Sequence, residues 1–498
     1  MMFEIFGFSS VIIPEVSVLC AALLLLVAGV CRKEEKGNVF AYISIVAIIV
    51  LALVIWHVAR MNPGSEVALN GLFVSDRFTI FFKLLVLGAS MGVLLISLDY
   101  SGKEKHLRFE YPVLILLSVA GMMVMISAND MMSLYMGLEL QSLALYVLTS
   151  IERDSEKGAE AGLKYFMLGA LSSGILLYGA SLVYGFSGTT NFTVLAQAYG
   201  NPQVVKQLPP GLLLGVILVL VGLCFKLSAV PFHMWAPDVY EGAPKPVTAF
   251  FASAPKIAAV ALFVRVAMHP FGGLAFQWEQ VVMFVAVASM IVGAFGALRQ
   301  SNIKRLMAYS SIAHMGFLLM GLAAAWMGGT KAVSGIQAVA IYSFIYVVMN
   351  IGTFACIILM KRGGVHVEKI SDLSGLAKDH PLYAAALAAL MLSMAGIPPL
   401  AGFFGKLFVF QAAIKAGLFS MVIIGVLTSV VGAYYYLRVV KVMYFDSLAD
   451  AKLKQPLDGE ISIAMRLVIG VTGVFNVAFC IFPTPLLEAA KAAAQSLL

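Results

Sequence analysis

The chain has 498 residues, 61% of them hydrophobic and only 12% charged, with a mean hydropathy of +0.95, whereas about a quarter of an average soluble chain is charged. That excludes a soluble globular protein. The formal charge of +7 comes without a basic stripe interleaved with exposed aromatics, which argues against nucleic acid as a partner and for the lipid bilayer as the surroundings.

Apolar runs of close to the roughly 20 residues that cross about 30 Å of hydrocarbon recur along the whole chain. The alternation of a membrane barrel is absent, so the spans are helices that satisfy their own backbone groups. The fold class is an all-α polytopic membrane protein with about fourteen transmembrane helices. The predicted spans are 10–31, 39–59, 78–98, 110–127, 129–150, 160–186, 211–231, 247–268, 280–298, 304–326, 334–360, 381–400, 418–443 and 462–482. No basic region precedes the first, which reads as a retained helix and not as a cleaved signal. The longest polar connections, 187–210 and 361–380, are too short to bury a core of their own.

Loops after odd-numbered spans hold roughly three times as many Lys and Arg as those after even-numbered ones, the bias expected when both termini lie outside. Cys20, Cys31, Cys224, Cys356 and Cys480 are scattered through apolar runs and read as inert core residues. No cysteine ligand set, and no G-x-G-x-x-G after a strand, offers this chain a cofactor or metal of its own.

Glu110 opens the fourth span, a place suited equally to proton uptake and to ordinary dipole stabilisation. Asp130 and Asp238 read as helix caps. Glu139 lies about ten residues into the fifth span, so at 1.5 Å per residue it is near the midplane. Lys164 follows Glu160 by one turn, the spacing of a surface ion pair as much as of a relay member.

The segment 223–260, LCFKLSAVPFHMWAPDVYEGAPKPVTAFFASAPKIAAV, sets Lys226 five residues before Pro231 and Lys256 directly after Pro255. An interior proline removes a backbone donor and blocks the preceding turn, so the seventh and eighth spans should be interrupted. Transporters place ion sites at such breaks, surrounded by protein or a water-filled cavity. His233 follows the break, and an imidazole near neutrality suits proton exchange.

His314 lies about ten residues into the tenth span, again near mid-membrane. In 392–406, LSMAGIPPLAGFFGK, Pro398 and Pro399 interrupt the twelfth span before Lys406. Ala229, Val230 and Pro231 match Gly396, Ile397 and Pro398 as a small–hydrophobic–proline repeat. Two five-span copies, spans 4–8 and 9–13, would be inverted relative to each other because five is odd. The resulting division is 1–109 (three N-terminal helices), 110–268 (first repeat), 269–445 (second, inverted repeat) and 446–498 (the last span). Charges at mid-membrane are costly, about 2.5–3.5 kcal/mol each on insertion scales, and several together point to ion or proton movement. The bland reading is that each only holds two helices together. Lys83, Arg265, Arg438 and Arg466 also fall within spans, where those near helix ends can snorkel. His57, His106, His269, His366 and His380 fall near helix ends or in loops and read as solvated.

MGLELQSLALYVL, EAGLKYFMLGALSSGILLYGASLVYG, FKLSAVPFHMWAPDVYEGAPKPV, NIKRLMAYSSIAHMGF and AGIPPLAGFFGKLFVFQAAI resemble the antiporter-like membrane subunits of respiratory complex I, NADH-quinone oxidoreductase, over residues 70–445. The resemblance implies a fourteen-helix fold with helices 7 and 12 broken at proline. It also implies a proton-translocating role within a membrane arm. Glu139 would modulate Lys226, Lys256 would connect the halves, and Lys406 would serve the outlet, with Glu110, Lys164, His233 and His314 as secondary positions. Lys406 departs from the glutamate of subunit M, and too few residues follow the fourteenth span for the long lateral helix of subunit L. Quinone reduction elsewhere would change the Glu139–Lys226 interaction and pass a proton along Lys226, His233, Lys256, His314 and Lys406. NADH, FMN, iron-sulfur clusters and quinone would belong to partner subunits. The partners would be subunit M and the small membrane subunits, and the location a bacterial cytoplasmic (inner) membrane with both termini on the periplasmic side. The alternative is a stand-alone or Mrp-type cation/proton antiporter.

Overall fold

A computed structural model describes residues 10–32, 37–61, 64–104, 108–200, 208–326, 329–448, 455, 457–458 and 461–498. Among the described residues, twelve helices are long and apolar enough to cross a membrane. Two shorter apolar helices, Pro381–Ala395 and Ile463–Ala478, complete the predicted fourteen. The protein is a multi-pass membrane protein. Large apolar side chains point outward from its rim, for instance Leu24, Leu53, Leu171, Val430 and Val474, as hydrocarbon surroundings allow.

Three N-terminal helices, α1 (Ile13–Arg32), α2 (Gly37–Met61) and α3 (Arg77–Glu104), precede α4 (Glu110–Ser127), α5 (Met131–Thr149) and α6 (Glu156–Ser187). Short polar side chains start several helices by taking the orphan backbone N–H groups of the first turn. Asp130 accepts from Met132 N, as the sequence led us to expect, and Ser155 from Gly158 N. Asp238 differs: it lies inside the first turn of its helix, and its carboxylate bridges Lys164 at 2.8 Å and Arg305 at 2.7 Å. Helices α4 and α5 cross closely because a Cβ at Gly121 would collide with the Gln141 backbone; α12 (Ala275–Ala297) and α13 (Ile303–Ala323) do so because one at Gly293 would meet Ala313 N.

Three spans are interrupted. The seventh is α8 (Pro210–Leu227), a gap, and then α9 (Trp235–Gly242); the eighth is α10 (Lys245–Phe251) and α11 (Ala254–Met268). The break in the eighth falls at Ala252–Ser253, and Pro255 sits in the first turn of α11, where a missing N–H costs nothing. After α14 (Gly329–Ile358), the twelfth span is α15 (Pro381–Ala395) followed by α16 (Ala401–Lys415). The second half, α16, extends past the predicted end at residue 400. Helices α17 (Phe419–Phe445) and α18 (Ile463–Ala478) follow.

One device ends both α8 and α15. Ser228 (φ 58°) and Gly396 (φ 86°) adopt left-handed backbone, and the next residues donate five positions back, Ala229 N to Cys224 O at 2.9 Å and Ile397 N to Leu392 O at 3.1 Å. Cis peptides follow at Val230–Pro231 and Pro398–Pro399. This matches Ser228 to Gly396 and Pro231 to Pro399, a register one residue away from the sequence match of Ala229 to Gly396.

The sequence reading missed a hairpin, β1 (Glu66–Ala68) with β2 (Phe73–Ser75), the short helix α7 (Phe192–Tyr199), and the final helix α19 (Thr484–Leu497). In α19 only Ala490, Ala493, Ala494 and Leu497 form a buried face, too thin a pattern to register as a span. Cys20, Cys31 and Cys480 are exposed, so only Cys224 and Cys356 are core cysteines.

Candidate functional site

The buried basic residues divide by partner. Lys83, which the sequence left open to snorkelling, pairs with Glu15 at 2.6 Å, both side chains being almost fully buried. Arg265 binds both carboxylate oxygens of Asp76, at 3.0 and 2.9 Å, tying α11 to the start of α3. Lys304 pairs with Glu368 at 2.6 Å. Lys245, between the predicted seventh and eighth spans, is 1% exposed and donates to the carbonyls of Ile357, Met360 and Val367.

Lys226, Lys256 and Lys406 are buried as well, but each ends on a serine hydroxyl. From the last turn of α8, Lys226 Nζ donates to Ser142 Oγ of α5 at 2.7 Å. Ser142 in turn donates to Leu138 O. Glu139, one turn before Ser142, is half-buried, and its Oε1 has no hydrogen-bond partner among the described residues. The Glu139–Lys226 interaction is therefore open here, with Ser142 taking the lysine.

On α11, Lys256 Nζ donates to Ser311 Oγ of α13 and lies 5.4 Å from the centre of the Tyr240 ring. Ser311 Oγ is 2.9 Å from the Tyr346 hydroxyl of α14. One turn further along α13, His314 is held at both ring nitrogens, Nδ1 by Tyr342 OH at 2.6 Å and Nε2 by Tyr436 OH at 3.2 Å. Tyr436 also meets Ser310 Oγ at 2.5 Å. A void of about 10 Å³, room for about one water molecule, lies between His314, Tyr436, Ser429 and Lys406. Lys406 Nζ donates across the break to Ala395 O at 2.9 Å and to Ser429 Oγ of α17 at 2.8 Å.

Between Lys226 and Lys256 the filling is aromatic. Tyr146 meets Tyr165 edge-on at 4.9 Å, Tyr165 stacks on Trp235 at 4.6 Å, and Phe251 approaches Tyr165 at 5.7 Å. Trp235 Nε1 donates to Phe225 O, fastening α9 to the last turn of α8, and Val230 N in the gap donates to Ser289 Oγ of α12.

The remaining sequence candidates are more peripheral. Lys164 pairs with Glu160 at 2.7 Å and with Asp238, its side chain 43% exposed, beside a 160 Å³ surface cavity that Arg305 and Glu241 also line. Glu110 opens α4, with Oε2 buried and without a partner among the described residues. His233 is half-buried in the break, its Nδ1 likewise buried and unpartnered. Pro231, Pro398 and Pro399 are exposed. His57 is exposed, as expected, and His106 lies outside the described residues. His269 is half-buried. The other two loop histidines are packed: His366 stacks on Tyr100 at 4.6 Å, and His380 reaches Leu457 O at 3.1 Å. Burial, followed by the nearby Lys245 charge, pushes the His366 imidazole far below its ordinary value, to about 2.

Sequence reasoning found the charged members of this row and missed their hydroxyl partners. The helical spacing held the clue: Ser142 stands three residues after Glu139 and Ser311 three before His314, so each shares a helix face with a candidate.

Residues 128–432 match the family described as NADH:quinone oxidoreductase/Mrp antiporter, TM. The NADH-quinone oxidoreductase subunit N of Paramagnetospirillum magneticum is 54% identical, with 98% of this chain and 97% of that protein covered. A chain of the respiratory complex I structure from Thermus thermophilus with bound aureothin superposes with a TM-score of 0.80 at 29% identity, covering 96% of this chain and all of the other. A chain of the Mrp complex from a Dietzia species shares the fold, with a TM-score of 0.84 at 23% identity over 98% of this chain and 97% of its own. The chain belongs to the NADH-quinone oxidoreductase subunit N family, within the wider group of NADH:quinone oxidoreductase/Mrp antiporter membrane subunits.

Proposed function

We propose that the chain translocates protons in the membrane arm of an NADH-quinone oxidoreductase, through Glu139, Lys226, Lys256, His314 and Lys406, with His233 at the first break. One observation carries this reading: three buried lysines and a histidine hang on neutral hydroxyls beside broken helices, where Lys83, Arg265 and Lys304 close on carboxylates. Burying a cation without a counter-ion is costly and is kept in membrane proteins where charge must move. Glu139 stands one turn from the Lys226 dock, so a change in its charge or position would draw Lys226 off Ser142. That exchange is the input by which a distant redox step would act on the row. Residues 110–268 and 269–445 would be the two inverted units, with Lys256 at their junction. The electron carriers and quinone would sit in partner subunits, and subunit M and the small membrane subunits would adjoin this chain. The excess of Lys and Arg after odd spans supports an orientation with both termini on the periplasmic side of the cytoplasmic membrane.

The test is Lys226→Ala and Glu139→Ala in the assembled complex, reconstituted in vesicles, with proton uptake measured against NADH oxidised. Lys226→Ala should abolish pumping, and Glu139→Ala should lower it severalfold. Undiminished pumping with intact assembly defeats the assignment. Sodium-dependent transport by the isolated chain would favour the antiporter reading.

A further inference from the structure

We propose that Ser142, Ser311 and Ser429 are positioning residues for the transferred proton, each a neutral dock that holds its lysine in either protonation state. This rests on the proton-translocating reading above and adds to it the groups that keep the lysines exchangeable. The three serines come from α5, α13 and α17, different helices in each case from the lysine they receive. None of the ion pairs among the described residues involves Lys226, Lys256 or Lys406.

The chemistry follows from what a hydroxyl can do. A carboxylate only accepts, so a lysine bound to one is held as the ammonium ion; Lys83 has such a partner in Glu15. A serine hydroxyl accepts from the ammonium and, after rotation about its C–O bond, donates to the lone pair of the neutral amine. When the ammonium passes its proton to the next base, the serine neither gains nor loses one. It only reverses the sense of the hydrogen bond, and Nζ stays in place. Ser311 has a second partner, the Tyr346 hydroxyl at 2.9 Å, which can take the opposite role as Ser311 turns. Ser142 donates to Leu138 O, and once Lys226 has given up its proton the same hydroxyl can turn to donate to the neutral Nζ.

The experiment compares Ser311→Ala and Ser142→Ala with Ser311→Thr and Ser142→Thr in the assembled complex, measuring the rate of NADH-driven proton pumping in vesicles. Losing a hydrogen bond to a charged group is worth at least about tenfold, so the Ala variants should pump about tenfold more slowly. The Thr variants, which keep the hydroxyl, should recover most of the rate. Should an Ala variant fail to assemble, Ser→Cys replaces it, near in size but a weak donor and acceptor, with the same loss expected. Ala variants that pump at the parental rate overturn the proposal, as do Thr variants as slow as Ala. If the serine variants are silent while Lys226→Ala abolishes pumping, the docks fall and the proton path stands. If Lys226→Ala is itself silent, the path falls first.

Discussion

The stretch from Lys256 to Lys406 and the stretch from Lys226 to Lys256 are built from different materials. In the first, hydroxyl and imidazole groups lie within hydrogen-bond reach of one another: Ser311 with Tyr346, His314 with Tyr342 and Tyr436, Tyr436 with Ser310. A void the size of about one water completes the approach to Lys406. In the second, stacked rings of Tyr146, Tyr165, Trp235 and Phe251 fill the interval, and the Tyr146 and Tyr240 hydroxyls are buried without partners among the described residues. Fixed polar groups can hand a proton on with side-chain rotations alone. Carbon rings cannot, so on the proposed reading a proton passes from Lys226 to Lys256 only when the rings part. That stretch also contains the gap between α8 and α9 and the break before α11, the backbone most able to move. The stretch from Lys226 to Lys256 would gate and the stretch from Lys256 to Lys406 would conduct.

The largest expected effect falls on the conducting half. Tyr342→Phe with Tyr436→Phe strips both ring nitrogens of His314 of their partners and leaves buried polar groups unpaired, at about 1–3 kcal/mol for each unsatisfied group. Pumping measured in vesicles should fall by more than about tenfold, with the complex still assembled because ring packing is kept. Pumping close to the parental rate would mean that the hydroxyl chain is scaffolding and that the two halves do not differ in the way argued.

A smaller effect is expected at the gate. Trp235→Phe keeps a ring against Tyr165 but removes the hydrogen bond to Phe225 O, which retains one donor in Ser228 N. The loss is one net hydrogen bond, about 1 kcal/mol, or roughly fivefold in an equilibrium between closed and open arrangements. The expected outcome is a passive proton leak severalfold above the parental one, read as decay of a preset pH gradient without NADH. An unchanged leak would remove the gate from this position.

The sequence exposed the fold wherever hydrophobic length was the controlling quantity, as in 110–127, which coincides with α4. It located the breaks because proline forbids the continuous helix, yet it placed the repeat one residue out of register. The register is set by the left-handed caps Ser228 and Gly396, and nothing in a serine announces positive φ. The charged site residues were legible because charge is rare in such a chain. Their partners were not, since Ser and Tyr occur all along these helices, and only packing decides which hydroxyl meets Lys256 and which faces lipid. Lys83 and Arg265 show the converse: both drew attention as intramembrane cations, and the fold closes each on a carboxylate distant in sequence, Glu15 and Asp76.

The smallest effect is the sharpest test of the contrast. Tyr146 lies in the ring ladder with a buried hydroxyl that bonds to nothing among the described residues, and the Lys226 Nζ stands 5.9 Å from its ring centre. Tyr146→Phe therefore deletes an oxygen whose burial is uncompensated and keeps the ring that meets Tyr165. Removing an unsatisfied buried polar group is neutral or slightly stabilising, so thermal stability should hold or rise, and pumping should stay within about twofold of the parental rate, near the limit of what one weak contact is worth. The same chemical change, loss of one phenolic oxygen, is thus expected to be silent at position 146 and severe at positions 342 and 436 together. If Tyr146→Phe were as damaging as the pair, its hydroxyl would have to carry protons between Lys226 and Lys256. The aromatic stretch would then conduct by the same means as the hydroxyl stretch, and the gate would have to lie elsewhere, at the Glu139–Ser142–Lys226 exchange itself.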